Sequence, residues 1–243
     1  MLNRLKAKVK QNDTRLEDAH ELQQDQLALT QLYKMFPDAF FMPLTTWSVS
    51  PKEIVHVCND ILVNDRKCIV EFGSGFSTVC IARMLKLHDK KVSFYTVEES
   101  TGWASELQRI LESQGLSDYV TVVHAPASEI KLPISKKNQT KWYNTDILSE
   151  VFADVRNIDV IVVDGPTGAI SPHARYSAIP FLKDKLAEDF SIFVDDTFRE
   201  EEKSMGLDWR DILKCEWKNY KRYMHLFSVR KNDATPYGIK FKK

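Results

Sequence analysis

The sequence predicts an α/β fold in which helices cover both faces of a mostly parallel β-sheet. Beyond about residue 50, short β-branched runs alternate with longer segments of helical periodicity, the pattern of a strand–helix–strand fold. The strand runs are apolar at consecutive positions, as in parallel strands buried between two helical layers. A chain of 243 residues, 43% of them apolar, can form one large core without metal or disulfide cross-links.

The predicted elements follow one another in a regular order. A serine cap and a first-turn proline at Ser50-Pro51 begin a helix. The strand runs are residues 67–72, 92–97, 120–124, 159–163 and 191–194. The helical patterns between them occupy residues 78–88, 101–114 and 173–188. Two last strand candidates, 224–229 and 238–241, flank a turn at Pro236 and predict a hairpin at the sheet edge.

The N-terminal segment differs from the rest in composition. Residues 1–35 contain neither glycine nor proline and are rich in Gln, Lys, Asp and Glu, with leucines at a heptad spacing that does not persist. We therefore expect an N-terminal helical extension over residues 1–49 and one domain over 50–243. The helix either docks on its own domain, forms a dimerising coiled coil or connects to a neighbouring domain.

Charge and cysteine usage exclude several classes of function. The 34 basic and 34 acidic residues cancel, so the sequence has neither the basic footprint of a nucleic-acid binder nor a reason to bind an anionic membrane. It has no signal-like apolar stretch and no run of 18 apolar residues. The four cysteines have no zinc spacing and are typical of reduced thiols. We expect a cytoplasmic protein with no membrane span.

A glycine-containing loop follows the first predicted strand, in Glu71-Phe72-Gly73-Ser74-Gly75-Phe76-Ser77-Thr78. Such a turn lets a ligand approach the backbone and the N-terminus of the next helix. The third glycine of the dinucleotide fingerprint is absent, because Thr78 stands three residues after Gly75. The next strand ends at Glu98, where a carboxylate can accept both hydroxyls of a ribose. These features predict a nucleoside-containing ligand, with a tight turn and a solvated acidic strand end as the alternative.

With these residues the sequence resembles the class I S-adenosylmethionine-dependent methyltransferases over about residues 50–243. The glycine loop is similar to their first motif, the Glu98 strand end to their second, and Val-Val-Asp164-Gly165-Pro166 to their fourth. The resemblance implies a Rossmann-like, doubly wound sheet of seven strands whose last strand is antiparallel. It implies S-adenosylmethionine as cofactor, bound by Glu71, Gly73, Ser74, Gly75, Ser77, Thr78, Glu98 and Asp164. Where many members have an aspartate at the adenine, this chain reads His124-Ala125-Pro126-Ala127-Ser128, which leaves Ser128 or backbone groups there.

Three carboxylates follow two of the predicted strands. Asp164 comes after the strand ending at residue 163, and Asp195 and Asp196 follow the strand ending at residue 194. If these strands are neighbours, the three side chains converge at the ligand-binding edge of the sheet and repel one another unless a cation or protons compensate. Such oxygen ligands suit Mg²⁺, Ca²⁺ or Mn²⁺. Helix capping, or salt bridges to Arg175 or Arg199, is the alternative.

This arrangement resembles the metal-dependent O-methyltransferases of the catechol and antibiotic-sugar types. The resemblance implies a divalent cation, Mg²⁺ first among the candidates, held by Asp164, Asp195 and Asp196 and acting on a substrate hydroxyl. Asp164 and His173 are the catalytic candidates, His173 as general base unless it is only a surface residue. Trp47, Trp142 and Tyr143 are candidates for stacking against the acceptor, with packing in an ordinary hydrophobic patch as the alternative.

The expected function is O-methylation of a small-molecule or glycan acceptor, with a sugar hydroxyl favoured by the resemblance. Two other classes stay open: a non-catalytic nucleotide-binding or partner-binding module, and an NAD(P)-dependent oxidoreductase on a similar sheet. The missing third glycine disfavours the oxidoreductase. No nucleic-acid partner is expected, and a homo-oligomer or a neighbouring domain is possible through the N-terminal helix.

Overall fold

A seven-stranded sheet forms the centre of the protein. The computed structural model describes residues 2–37, 40–228 and 232–238. The strands of the main sheet are β1 (Cys68–Phe72), β2 (Ser93–Glu98), β3 (Thr121–His124), β6 (Ile158–Val163), β7 (Leu186–Val194), β8 (Glu216–Asn219) and β9 (Met224–Phe227). Their order is β3-β2-β1-β6-β7-β9-β8, and β9 runs antiparallel to both neighbours. Two short strands, β4 (Ala127–Glu129) and β5 (Lys141–Tyr143), form a separate antiparallel pair.

Helices cover both faces of this sheet. They are α1 (Leu2–Tyr33), α2 (Pro51–Val63), α3 (Phe76–Leu87), α4 (Thr101–Ser113), α5 (Thr145–Val151), α6 (Ala178–Leu182) and α7 (Glu200–Leu213). Helices α1 to α4 share one buried cluster with strand residues such as Ile69 and Val160, while α5 to α7 share the other with Val70 and Ile161. Because adjacent strand residues enter opposite clusters, the strands have apolar side chains on both faces. The predicted α/β class and mostly parallel, doubly wound sheet are confirmed.

The prediction of one helix over residues 173–188 is wrong. Helix α6 spans only Ala178–Leu182, a single 3₁₀ turn follows, and β7 already begins at Leu186. His173 has a left-handed backbone with φ of +53°, which a right-handed helix does not accommodate. Leu186 pairs with Ile158 of β6, so the end of the predicted helical segment belongs to a strand.

The edge hairpin has a different partner from the one predicted. Strand β9 confirms the candidate at 224–229 over Met224–Phe227, but it pairs with β8, which the sequence pattern did not reveal. All four β8 residues are exposed, so the segment has no apolar alternation that would indicate a strand. Of the other candidate, 238–241, residues 239–241 lie outside the described residues.

Helix α1 packs on α2 through its C-terminal part. Ala28 and Leu32 are buried in the cluster that α2 and α3 share. Lys52 at the start of α2 forms a 2.8 Å ion pair with Glu21 and donates its backbone N–H to Asp25. Along the described stretches of chain, none of the helices is both long and apolar enough to cross a bilayer.

Candidate active site

The loops after β1 and β6 touch backbone to backbone at the carboxyl edge of the sheet. Gly73 has φ of +89°, and a Cβ there would lie 2.6 Å from the backbone nitrogen of Gly165. The backbone nitrogens of Asp164 and Gly165 both donate to the Phe72 carbonyl, at 2.8 and 2.7 Å. Gly73 is therefore required both for its left-handed backbone and for this close approach.

Glu71 holds the glycine loop from beneath. Its carboxylate is fully buried and accepts hydrogen bonds from the hydroxyls of Ser77 (2.6 Å), Thr78 (2.5 Å) and Thr96 (2.8 Å). Burial raises the pKa of Glu71 to about 7 in spite of these three donors. Thr78 is also fully buried and accepts the Gly75 backbone N–H. Both residues thus hold the loop from below, and their predicted direct contact with the cofactor stays a prediction.

Glu98 lies at the end of β2 and faces the same loop. Its carboxylate accepts from the Ser74 hydroxyl at 2.7 Å, from the Ser74 backbone at 3.3 Å and from the Ser100 backbone at 2.8 Å. Burial raises the pKa of Glu98. Trp103 of α4 donates its indole N–H to the Ser74 carbonyl. Ser74 is therefore held from two sides.

Three cavities adjoin one another above this edge of the sheet. The loop cavity, about 330 Å³, lies between the glycine loop with Trp103 and the segment 43–49. The acidic cavity, about 150 Å³, is lined by Glu98, Glu99 and the aspartates after β6 and β7. The outer cavity, about 740 Å³, lies on the far side of segment 44–51. Trp47 lines all three cavities and is 77% exposed.

The three predicted aspartates converge, because β6 and β7 are neighbours and Val163 pairs with Val194. One carboxylate oxygen from each of Asp164, Asp195 and Asp196 lies within 4.8 Å of the others. All three residues line the acidic cavity.

Two arginines pair with this cluster, as the alternative interpretation anticipated. Arg175 Nη2 lies 3.1 Å from Asp164 Oδ1 and 3.1 Å from Asp196 Oδ2. Arg199 Nη1 lies 3.0 Å from the same Asp196 oxygen and 3.6 Å from Glu202. Arg175 is buried, and both of its described ion pairs are with aspartates of this cluster.

The two arginines do not balance the buried acids. Glu53 of α2 is fully buried against Asp195, and burial together with Asp195 raises its pKa well above the ordinary value. Burial also raises the pKa of Asp164 and of Asp195, with the neighbouring aspartates adding to the effect. Among the described residues, Asp195 Oδ1 is a buried oxygen with no hydrogen-bond donor. Five carboxyl groups therefore face the two guanidinium groups, namely those of Glu53, Asp164, Asp195, Asp196 and Glu202. Protons or a cation must neutralise the remaining negative charge.

The cavities sort the predicted site residues into two sets. Those that line the loop cavity or the acidic cavity are Gly73, Ser74, Gly75, Ser77, Glu98, Asp164, Asp195 and Asp196. Ser128 lies on β4, paired with Trp142, and lines none of the three cavities. Trp142 and Tyr143 are fully buried, so for these two residues the packing alternative holds and stacking on the acceptor does not.

His173 lines none of the three cavities. Its backbone N–H donates to Glu201 at 2.6 Å, and its Nδ1 is 4.0 Å from the same carboxylate. Its predicted role as general base stays a prediction. Sequence reasoning also missed Glu53: Ser50-x-x-Glu53 has the form of a surface capping box, and nothing in that pattern indicates burial beneath Asp195.

A family model described as a methyltransferase domain matches residues 70–197, more than half of the chain. The chain belongs to this methyltransferase family. The match begins in β1 and ends just beyond Asp196, so it contains the glycine loop, Glu98 and all three aspartates. The prediction of a class I methyltransferase is confirmed. The methyltransferase interpretation therefore replaces the oxidoreductase and partner-module alternatives. A search of curated proteins found no match.

Solved structures with the same fold include three methyltransferases of low sequence identity. An SAH-bound methyltransferase from Podospora anserina has a TM-score of 0.56 at 13% identity, covering 90% of this chain and 96% of its own. An O-methyltransferase from Bacillus cereus in complex with SAH scores 0.53 at 14%, covering 85% and 91%. A putative caffeoyl-CoA O-methyltransferase from Staphylococcus aureus scores 0.54 at 14%, covering 90% and 99%. At such low sequence identities, these matches show that the fold is shared.

Proposed function

We propose that the protein is a cytoplasmic methyltransferase that moves the methyl group of S-adenosylmethionine to a hydroxyl of a small acceptor, with a divalent cation assisting. A sugar or glycan-like metabolite is the proposed acceptor, on the resemblance to antibiotic-sugar enzymes. The observation that carries the proposal is the triad of Asp164, Asp195 and Asp196 beside the glycine loop. Ser74, Trp47 and Asp164 line both the loop cavity and the acidic cavity, so cofactor and acceptor sites adjoin.

The loop cavity suits the proposed cofactor. A Cβ on Gly75 would meet no atom within 4 Å, so the backbone there is open to a ligand. Glu98 lies beside it with a carboxylate that Ser74 and Ser100 already orient, and a ribose presents two hydroxyls to such a group. The SAH carried by the P. anserina and B. cereus structures supports the same ligand for this chain.

The acidic cavity fits a hard divalent cation. The donors are carboxylate oxygens, the buried acids outnumber the arginines, and Asp195 Oδ1 has no donor in the described chain. Asp164, Asp195 and Asp196 would hold the ion. A bound divalent cation supplies charge that lowers the pKa of a hydroxyl and favours its attack on the sulfonium methyl group.

The remaining steps belong to residues of this chain. Packing of the loops after β1 and β6 sets the two sites side by side, and positioning of the reactants is itself a large part of catalysis. Because His173 lines none of the cavities, the proposal assigns receipt of the hydroxyl proton to the aspartates that do. The hydroxyl acceptor is further supported by the O-methyltransferases among the structures of similar fold.

A metal-independent version of the same transfer is favoured by one observation. Arg175 already bonds to Asp164 and Asp196 at 3.1 Å each, so its guanidinium stands where a cation would otherwise neutralise these carboxylates. Turnover in EDTA separates the two versions.

The test combines a binding and a turnover measurement. S-adenosylhomocysteine is titrated calorimetrically with Mg²⁺ and then with EDTA, and methyl transfer to sugars, glycosides and catechols is followed by release of S-adenosylhomocysteine. We expect micromolar binding that survives EDTA and turnover that does not. Asp196→Asn should lower turnover at least tenfold with cofactor affinity unchanged, while the exposed Asp118→Asn behaves as wild type. Absence of binding under both conditions contradicts the cofactor, and full turnover in EDTA contradicts the metal.

A further inference from the structure

The outer cavity carries charge opposite to that of the acidic cavity beside it. Its lining contains two arginines, Arg199 and Arg222, and no carboxylate. The two cavities share Thr46, Trp47 and Arg199, so a molecule of modest size can occupy both. A cationic wall with several hydroxyl groups, as segment 44–51 provides, is the lining that an anion requires.

Of the two arginines that line the outer cavity, Arg222 has the longer ion pair among the described residues. Its side chain is 44% exposed, and the ion pair described for it is a 3.9 Å contact with Asp25. Asp25 already accepts the Lys52 backbone N–H at 3.1 Å. The backbone around Arg222 is fixed, because its carbonyl accepts the Thr197 N–H at 2.8 Å. A guanidinium has five N–H donors, and Arg222 lines the outer cavity from a fixed backbone.

Arg199 links the two cavities. It pairs with Asp196 and Glu202 while also lining the outer cavity. Its guanidinium lies 5.4 Å from the centre of the Phe198 ring. Trp47 and Phe198 are both largely exposed at this mouth, and aromatic faces left in water beside a cation are typical of a binding surface for a ring or other apolar body.

We propose that the methyl acceptor is anionic: its phosphate or carboxylate group binds Arg222, with Arg199, in the outer cavity, and its body lies against Trp47. This places the hydroxyl end of the acceptor in the acidic cavity. The methylation of that hydroxyl rests on the proposed function, whereas binding of the anion does not.

The test measures anion binding without turnover. Phenyl phosphate, benzoate and the neutral benzyl alcohol are titrated calorimetrically into wild type, Arg222→Gln, Arg222→Lys and the control Arg109→Gln. Arg109 is an exposed α4 residue paired with Glu106. We expect an anionic probe to bind about tenfold or more tightly than benzyl alcohol, as one hydrogen bond to a charged group would give. Arg222→Gln should remove this preference, Arg222→Lys should retain part of it, and Arg109→Gln should retain all of it.

The pattern of results separates the sources and the failures. Tighter binding of phenyl phosphate indicates a phosphorylated acceptor, and tighter binding of benzoate indicates an acceptor with a carboxylate. Equal affinity for the anionic and neutral probes, or equal behaviour of Arg222→Gln and Arg109→Gln, overturns the inference. S-adenosylhomocysteine is titrated into the same proteins: if it binds while the anions do not, only the inference fails, and if it does not bind wild type, the proposed function fails.

Discussion

Glu71 and Glu98 are buried carboxylates on neighbouring strands, yet their hydrogen bonds give them different tasks. Glu71 is enclosed by three hydroxyls and lines none of the three described cavities, whereas Glu98 accepts from Ser74 and Ser100 and borders the acidic cavity. We therefore expect the first carboxylate to stabilise the loop, and we propose that the second binds the ligand. Substitution of each should affect a different measurement.

Glu98→Ala should weaken S-adenosylhomocysteine binding by about 1–3 kcal/mol, the cost of losing hydrogen bonds to a charged group. Isothermal titration of both proteins at one pH measures the difference. The exposed Glu129→Ala on β4 is the matched control and should bind as wild type does. If Glu98→Ala retains full affinity, the ribose assignment is wrong.

Glu71→Gln should change how stability depends on pH. The pKa of Glu71 is about 7 in the folded protein against an ordinary 4.5, so between these values the folded state binds the proton that the unfolded state has released. Stability therefore falls as pH rises through this window, by about 3 kcal/mol for the full shift. Glu71→Gln lacks the titrating carboxyl group, so its stability should fall correspondingly less than that of wild type over this pH range.

Urea unfolding across this pH range checks the prediction. The difference between wild type and Glu71→Gln isolates Glu71, because the other buried carboxyls titrate in both proteins. The exposed Glu150→Gln on α5 should give a profile parallel to that of wild type. A parallel profile for Glu71→Gln as well would show that Glu71 does not hold its proton more tightly when folded.

At the scale of elements, the sequence predicted best the strands whose side chains are buried on both faces of the sheet. Residues 160–163 of β6 and 190–194 of β7 are buried throughout, and the sequence predicted that the three aspartates meet if these two strands are neighbours. Strand β8 is exposed throughout and left no pattern to read. The positions of Arg175, Glu53 and segment 43–49 depend on how loops and α2 pack over the sheet edge, which local periodicity does not encode.

Gly73→Ala should disrupt the junction between the loops after β1 and β6. Alanine there would need a positive φ and would place its Cβ 2.6 Å from the Gly165 nitrogen, so the loss of stability should exceed about 2 kcal/mol. Gly168→Ala is the matched control, because its Cβ meets no atom within 4 Å. Denaturant unfolding compares the two, and equal stability of both variants would contradict the close packing described here.

At the scale of the whole molecule, α1 contacts the rest of the chain at the N-terminus of α2. Asp25 of α1 accepts the first-turn N–H of α2 and lies 3.9 Å from Arg222. Glu21 pairs with Lys52 of the same turn. The helix thus supports the N-terminus of α2, which carries Glu53 beneath the aspartates.

Whether α1 unfolds with the domain can be decided with two leucines of the same helix. Leu32 is 2% exposed in the shared core, whereas Leu27 is 58% exposed. Leu32→Ala should lower the free energy of unfolding by about 2–5 kcal/mol, and Leu27→Ala should change it by no more than about 0.5 kcal/mol. Urea unfolding followed by far-UV circular dichroism and by tryptophan fluorescence should show one shared transition that moves to lower urea in Leu32→Ala. If the fluorescence transition stays in place while part of the helical signal melts early, α1 is a separable appendage, and the domain below it holds Glu53 in place without its help.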